Sequence, residues 1–449
     1  MLERRDLLKG LALLAGLGAG GGLAGCGGEA SGGGSDGEAG ADPGRATQAV
    51  AVSAVARSSA DPAALTSAAA SVSAFAADLY QRISAAAPGN VACSPYSVAV
   101  ALAMTRVGAA GRTARELDAV LHAPDLAELA AGMNALSLHL AGLAGPRRNA
   151  TGGKAQIALD TANALWGQRG IRWQQPFLDT LGRDYGAGVR LADYERAATT
   201  ARVAINAWTA QRTHGRIPHL VPTGVLDTGT RLVLVNAVYL KAPWDQPFEK
   251  VATTPAPFTR ADGSVVRVPM MSGSLAGARY VTGPGWRAVE VPYAGRELAM
   301  TVLVPDPGRL ASVAGALHGD ALHGLLTGGR PAEVRLRLPR WTFRTQVSLT
   351  AALTALGMPS AFGDAADFSR MTTQERLAIR AVLHEAFVAV DEAGTEAAAA
   401  TAVALGTSAQ GFGGPAVELV ADRPFLFVIH DTRTATPLFI GRVTDPSAG

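Results

Sequence analysis

Two cysteines in 449 residues, Cys26 and Cys93, exclude a disulfide-dense scaffold and a four-cysteine zinc site. Lysine is almost missing: Lys9, Lys154, Lys241 and Lys250 are the only four, so nearly all positive charge is arginine. Charged residues make up 17% of the chain, the formal net charge is +3, and no block of five or six like charges occurs. That balance gives no footprint for nucleic acid, and no nucleic-acid partner is expected. His214/His219 and His318/His323 are spaced i, i+5, which does not put either pair on one helix face, and no metal site is expected. What is abundant is apolar sequence, 48%, which excludes a chain disordered throughout, and glycine, 52 residues with part of the excess near the N-terminus.

Residues 1–25 read as an export signal. Arg4-Arg5 precede Leu7-Leu8-Lys9 and an apolar stretch over 10–23. That stretch is broken by glycines and shorter than the ~20 residues a spanning helix needs. Arg-Arg-x-Leu-Leu-Lys resembles a twin-arginine signal. Leu23-Ala24-Gly25-Cys26 resembles a bacterial lipobox, in which the signal is cut before the cysteine and that cysteine carries lipid. A plain signal with a chance cysteine is the alternative; the position of Cys26, where the apolar stretch stops, favours the lipid. The expectation is an exported, membrane-anchored protein, on the cell surface or the periplasmic side. Residues 26–70, rich in Gly, Ala and Ser, read as a tether. Gly33-Gly34-Ser35-Asp36-Gly37 is a G-x-S-x-G without the strand before and helix after that a nucleophile elbow requires. Cys93 reads as a small buried hydrophobe.

No second linker follows, so 71–449 reads as one domain. Helical periodicity predicts helices over 71–87, 95–107, 113–121, 127–141, 174–185 and 199–212. Strands are predicted over 157–166, 287–292, 298–305, 333–339, 377–390 and 425–429. The run 232–240 is apolar almost without a break, as only a strand covered on both faces tolerates, and Asn236 within it requires a hydrogen bond. Helices first and strands later argue for an α+β fold. From Gly394 to Ala421 no pattern is strong, and so long a connection within a compact domain is usually functional or disordered.

Over 71–449 the chain resembles a serpin. The motifs, in the family's order, are Ser-Pro-Tyr-Ser at 94–97, Asn-Ala-Val-Tyr-Leu-Lys-Ala-Pro-Trp at 236–244, Met270-Met271, Pro292-Tyr293, Leu338-Pro339-Arg340, His384-Glu385-Ala386, the stretch 391–401, Asp-Arg-Pro-Phe at 422–425 and Phe-Ile-Gly-Arg-Val at 439–443. Leu240 stands where an aromatic is usual, Ala393 where a charge is frequent, and 394–424 is a few residues longer than common. The resemblance implies three β-sheets, about nine helices and an exposed reactive-centre loop, acting as a monomer without cofactor or catalytic residues. A target endopeptidase would cleave the loop and form an acyl-enzyme. The loop would then enter the main sheet as a new strand and trap the protease.

In that reading the hinge is Glu392, Gly394, Thr395, Glu396, Ala397, Ala398, Ala399, Ala400 and Thr401. Strand alternation sends Thr395, Ala397, Ala399 and Thr401 into the packed interior, where small residues are needed, and Glu396 outward. Without the flanking motifs, alanine-rich 397–402 would read as a helix. Ser94, Ser97, Asn236 and His384 match the shutter beneath the point of opening, and Trp244 matches the breach at the top of the sheet. Family spacing puts the reactive bond at Ser408–Ala409, suiting an elastase- or subtilisin-like pocket; a shifted bond at Leu405 or Phe412 would suit a chymotrypsin-like one. No Arg or Lys lies between Thr395 and Ala421, which argues against trypsin-like targets. A non-inhibitory serpin, binding or structural, is the alternative, but its members tend to carry charged or bulky hinge residues. A hydrolase would need a nucleophile in context, and the only G-x-S-x-G lies in the tether.

Overall fold

Leu232–Pro243 is buried along almost its whole length, and an eight-stranded sheet is built around it. The computed structural model describes residues 49–396 and 416–448. In chain order the strands of this sheet are β1 (Val50–Ala51), β2 (Lys154–Gln168), β3 (Val189–Ala192), β4 (Leu232–Pro243), β5 (Trp341–Ser348), β6 (Ile379–Asp391) and β7 (Gly394–Thr395). In space the order is β1-β3-β2-β4-β7-β6-β5, with Gly145–Arg148 added on β2. β4 runs antiparallel to β2, with Asn236 opposite Asn163. It runs parallel to β6 only as far as Val238 opposite Ala386. Above that level the two strands are no longer partners, and β7 lies between them.

The remaining strands join a nine-stranded network. The two further sheets expected from the family are continuous here, because the 19-residue strand Val265–Gly283 meets Thr254–Thr259 at one end and Trp286–Pro292 at the other. Nine α-helices occur among the described residues. Four matter below: α1 (Ala64–Ala86), α2 (Pro95–Val107), α3 (Leu126–Ala141) and α4 (Tyr194–Arg212). α2 is buried on every side, as its apolar sequence requires. No helix of the described residues is long and apolar enough to cross a membrane.

The folded body starts earlier than the tether boundary at 70 predicts. β1 pairs antiparallel with β3, Val50 opposite Arg190 and Ala51 opposite Val189. Ser53 Oγ donates to Asp179 Oδ1 at 2.5 Å, Arg57 Nε donates to Asn134 Oδ1 at 2.9 Å, and Asn134 Nδ2 donates to the carbonyls of Ser58 and Ser59 at 3.1 Å. α1 then begins at Ala64, not Ser71. The Ala- and Ser-rich segment carries no periodicity of its own and takes its shape from the surface it crosses. Gly188 makes room for it: a Cβ there would lie 2.4 Å from the Ala51 carbonyl oxygen.

Candidate functional site

The four shutter residues meet at the middle of the main sheet. Ser94 caps α2 ahead of Pro95, and its N–H donates to His384 Nε2 at 3.0 Å. The imidazole proton therefore sits on Nδ1, which donates to Asn236 Oδ1 at 2.6 Å. Asn236 and His384 are direct neighbours in the β4–β6 register. Burial depresses the His384 pKa to about 4, so the ring is neutral near pH 7. Ser97 Oγ donates at 2.5 Å to Asn163 Oδ1, a partner on β2 that the sequence motifs do not contain. The hydrogen bond expected for Asn236 is made by its oxygen; its Nδ2 is buried without one.

At the top of the sheet the chain leaves β6 through a turn in which Asp391 Oδ1 accepts from the N–H groups of Ala393 and Gly394 at 2.8 and 3.2 Å. It then descends between β4 and β6. Gly394 faces Pro243 and Asp391; Thr395 faces Ala242 and Val390. Gly394 has φ +148°, and a Cβ there would lie 2.2 Å from the Ala242 carbonyl oxygen, so no other residue fits this pivot. Thr395 is 2% exposed, and its Oγ1 shares a hydrogen bond of 2.5 Å with the Tyr293 hydroxyl. Tyr293 stacks on Trp244 with ring centroids 4.5 Å apart. The Trp244 indole Nε1 donates to the Asp391 carbonyl at 3.0 Å, and its backbone N–H donates to that of Ala393 at 2.9 Å. Thr395 thus stands in the sheet while the loop is intact, earlier than the expectation that it enters on insertion.

Two carboxylates flank this pivot. Glu392 accepts from Arg340 Nε at 2.6 Å and from Thr253 Oγ1 at 2.5 Å. Burial opposes its ionisation, but those bonds outweigh burial and hold its pKa below the usual range. Glu396 has φ +49°, a left-handed backbone, and its carboxylate pairs with Arg216 just beyond α4. Only 10% of its side chain is exposed: here Glu396 lies just past the strand, not on the outward face expected for it in an inserted one, and burial pushes its pKa up against the pull of Arg216. Arg216 also lies over the Phe387 ring, 5.6 Å from its centroid, and Arg344 joins it there at 5.3 Å.

The structure therefore brings Ser94, Ser97, Asn236 and His384 together, and gathers Trp244, Glu392, Gly394, Thr395 and Glu396 at the opening above them. Ala397 through Thr401, Leu405, Ser408, Ala409, Phe412 and Cys26 lie outside the described residues. Sequence reasoning assigned no role to Asn163, Tyr293, Arg340, Thr253 or Arg216. Tyr293 and Arg340 were visible within motifs; Asn163 and Arg216 are brought in by register and by a loop crossing. Among the described residues no group of His, Cys, Asp and Glu could hold a metal ion. What the arrangement can do is mechanical: a sheet parted at one end, with one chain already entering the gap.

Comparisons with known proteins agree on the family. The family model described as Serpin (serine protease inhibitor) matches residues 70–446. A leukocyte elastase inhibitor of Sus scrofa is 34% identical over 382 residues, covering 83% of this chain and 97% of that protein. An uncharacterised serpin-like protein of Thermococcus kodakarensis is 35% identical, covering 84% of this chain and 85% of that protein. Among solved structures, the thermophilic serpin tengpin in its native state superposes with TM-score 0.75 at 26% identity, covering 87% of this chain and 96% of that one. A cleaved Serpin 42Da superposes with TM-score 0.73 at 29% identity, covering 85% and 99%.

Proposed function

The chain belongs to the serpin family, and from that premise we propose that it inhibits serine endopeptidases, and cysteine endopeptidases as a second class, by offering its loop as bait and inserting it after cleavage. It is not an enzyme; the family is described as one of protease inhibitors. The observation that carries the mechanism is β7: Gly394 and Thr395 are already hydrogen-bonded between β4 and β6. Each further residue that follows them adds ladder bonds to both neighbours, so insertion runs downhill once cleavage frees the loop. The polar shutter below resists premature opening, since parting β4 from β6 breaks the His384–Asn236 bond in a buried setting.

The reactive bond is Ser408–Ala409, with Leu405 or Phe412 as alternatives, and the target is elastase-, subtilisin- or chymotrypsin-like. Relatives a third identical are named leukocyte elastase inhibitors, in keeping with a small residue at the cut. The protein acts as a monomer, exported and held at a membrane by lipid on Cys26, with its folded domain extracytoplasmic. Incubation with elastase followed by a denaturing gel tests the inhibitory reading. An inhibitor leaves a covalent band of combined mass. Cleaved chain alone, with the protease still active, would instead support a non-inhibitory serpin.

A further inference from the structure

The segment 213–221 that follows α4 crosses one face of the main sheet where the sheet is parted. His214 is fastened on one side of the gap: its Nε2 lies 3.0 Å from Asp160 Oδ2 on β2, and its ring packs on Tyr239 of β4 with centroids 4.5 Å apart. Two residues on, the chain is tied to the other side. Arg344 Nη1 of β5 donates to the Arg216 carbonyl at 2.9 Å, and Gln346 Nε2 donates to the His219 and Leu220 carbonyls at 2.6 and 3.1 Å. Ile217, Leu220 and Val221 are fully buried. β4 and β6 are paired up to Val238 and Ala386, and Tyr239 and Phe387 are the next residues up. The segment touches those two rings, so it crosses at the level where the pairing ends.

Arg216 is the point at which this strap meets the hinge. Its guanidinium lies over the Phe387 ring and pairs with the Glu396 carboxylate. The Glu396 N–H already donates to the Ala389 carbonyl at 2.8 Å, the bond that continues the β6–β7 ladder, yet its φ of +49° turns the chain out of the strand. A left-handed backbone is uncommon and strained at a glutamate, so its surroundings have to hold it there. Adding the next residue to β7 requires an extended φ at Glu396, about half a turn away around the N–Cα bond. That rotation carries Cβ to the other side of the bond and takes the carboxylate off Arg216, which its ties to Arg344 and Phe387 keep in place. A strained residue held by its neighbours at the end of a growing strand has the character of a switch.

We propose that the Arg216–Glu396 pair is a latch: it holds the left-handed turn that stops insertion at Thr395, and so keeps the intact protein from inserting its loop unprovoked. The latch rests on the insertion proposed above and adds to it the contact that sets the lifetime of the uninserted form. The test follows uncut protein on warming. Urea-gradient gels report the fraction converted to a urea-resistant form, with elastase-cleaved wild type as the marker of that form. Arg216→Gln and Glu396→Gln should each convert about tenfold faster than wild type, the scale of a charge-assisted hydrogen bond. Arg216→Lys, which keeps the charge, should recover part of the delay. The double variant should convert no faster than the quicker single one, because both substitutions remove the same contact; a general loosening of strap and hinge would make the two effects multiply. Single variants that convert at the wild-type rate or slower, or effects that multiply in the double variant, would overturn the latch, while urea resistance of the cleaved wild type would leave insertion standing. A cleaved wild type that stays urea-sensitive would overturn insertion and the latch with it.

Discussion

If the loop inserts as proposed, replacing Thr395 with Arg should separate cleavage from trapping. In the intact protein Thr395 is 2% exposed, paired on both sides, with its hydroxyl on Tyr293. The variant has two ways to accommodate the longer side chain. It can keep β7 in the sheet and bury a cation, at several kcal/mol even after relaxation. Or it can withdraw β7, giving up the Tyr293 bond and the short ladder at about 1 kcal/mol per net hydrogen bond. Withdrawal spares the intact fold but not the proposed insertion, which would then have to carry the cation into the gap between β4 and β6. An increase of only ~2.7 kcal/mol in that barrier slows insertion about a hundredfold, and deacylation then wins. The loop beyond the hinge is unchanged, so cleavage should continue. The assay is a titration of elastase activity against inhibitor, with a denaturing gel at each ratio. Thr395→Arg should turn over as substrate, with no covalent band and with the protease active. The fitting control is Glu396→Gln, because Glu396→Arg would set a second guanidinium against Arg216; it should keep most trapping. A Thr395→Arg protein that traps elastase with wild-type stoichiometry would refute insertion at this position.

His384 titrates near 4 in the fold and near 6.5 when unfolded, so between those values the unfolded chain binds the extra proton. Its contribution is present above about pH 6.5 and fades toward pH 4, about 3 kcal/mol in all; urea midpoints should fall accordingly, and a His384→Gln protein with the same pH slope would exclude this residue as the source. Cutting the loop at Ser408–Ala409 should raise the melting temperature, since the freed strand extends β7 down the sheet; calorimetry showing an unchanged or lower value would favour the non-inhibitory reading. Cys26→Ala should move the protein from the membrane fraction to the soluble or unprocessed one, and unaltered partition after fractionation would end the lipid assignment.

The core of the fold could be read from the chain where apolar runs are long. β4 and α2 declare themselves by being apolar on every side, and β6 by its β-branched and aromatic content. Val265–Gly283 did not, because its glycines and serines resemble loop composition although partners on both edges hold it extended. The segment 49–63 reads as tether in the sequence for a related reason: the contacts it makes are with β3 and α3, and its own propensities do not announce them. In the site, Ser94, Ser97, Asn236 and His384 were legible as motif residues. Their partner Asn163 was not, since only the β2–β4 register sets it opposite Asn236. Glu396 was assigned outward from strand alternation, but alternation holds only for a chain in extended conformation, and its φ of +49° ends the strand at Thr395. That left-handed turn swings the carboxylate onto Arg216.

The pairing of β1 with β3 also decides where a pulling force would enter this molecule. Any tension on the chain ahead of Ala49 would arrive first at a two-residue strand on the margin of the sheet that also holds β7. It would then reach the Ser53–Asp179 bond, and after that the Arg57 and Asn134 clasps on α3. These fastenings are loaded in sequence, like teeth of a zip, and each is weak alone. A modest pull would therefore peel the segment off one tooth at a time and leave the body behind it standing, so these few bonds set how much force on the N-terminal side the rest of the sheet would feel.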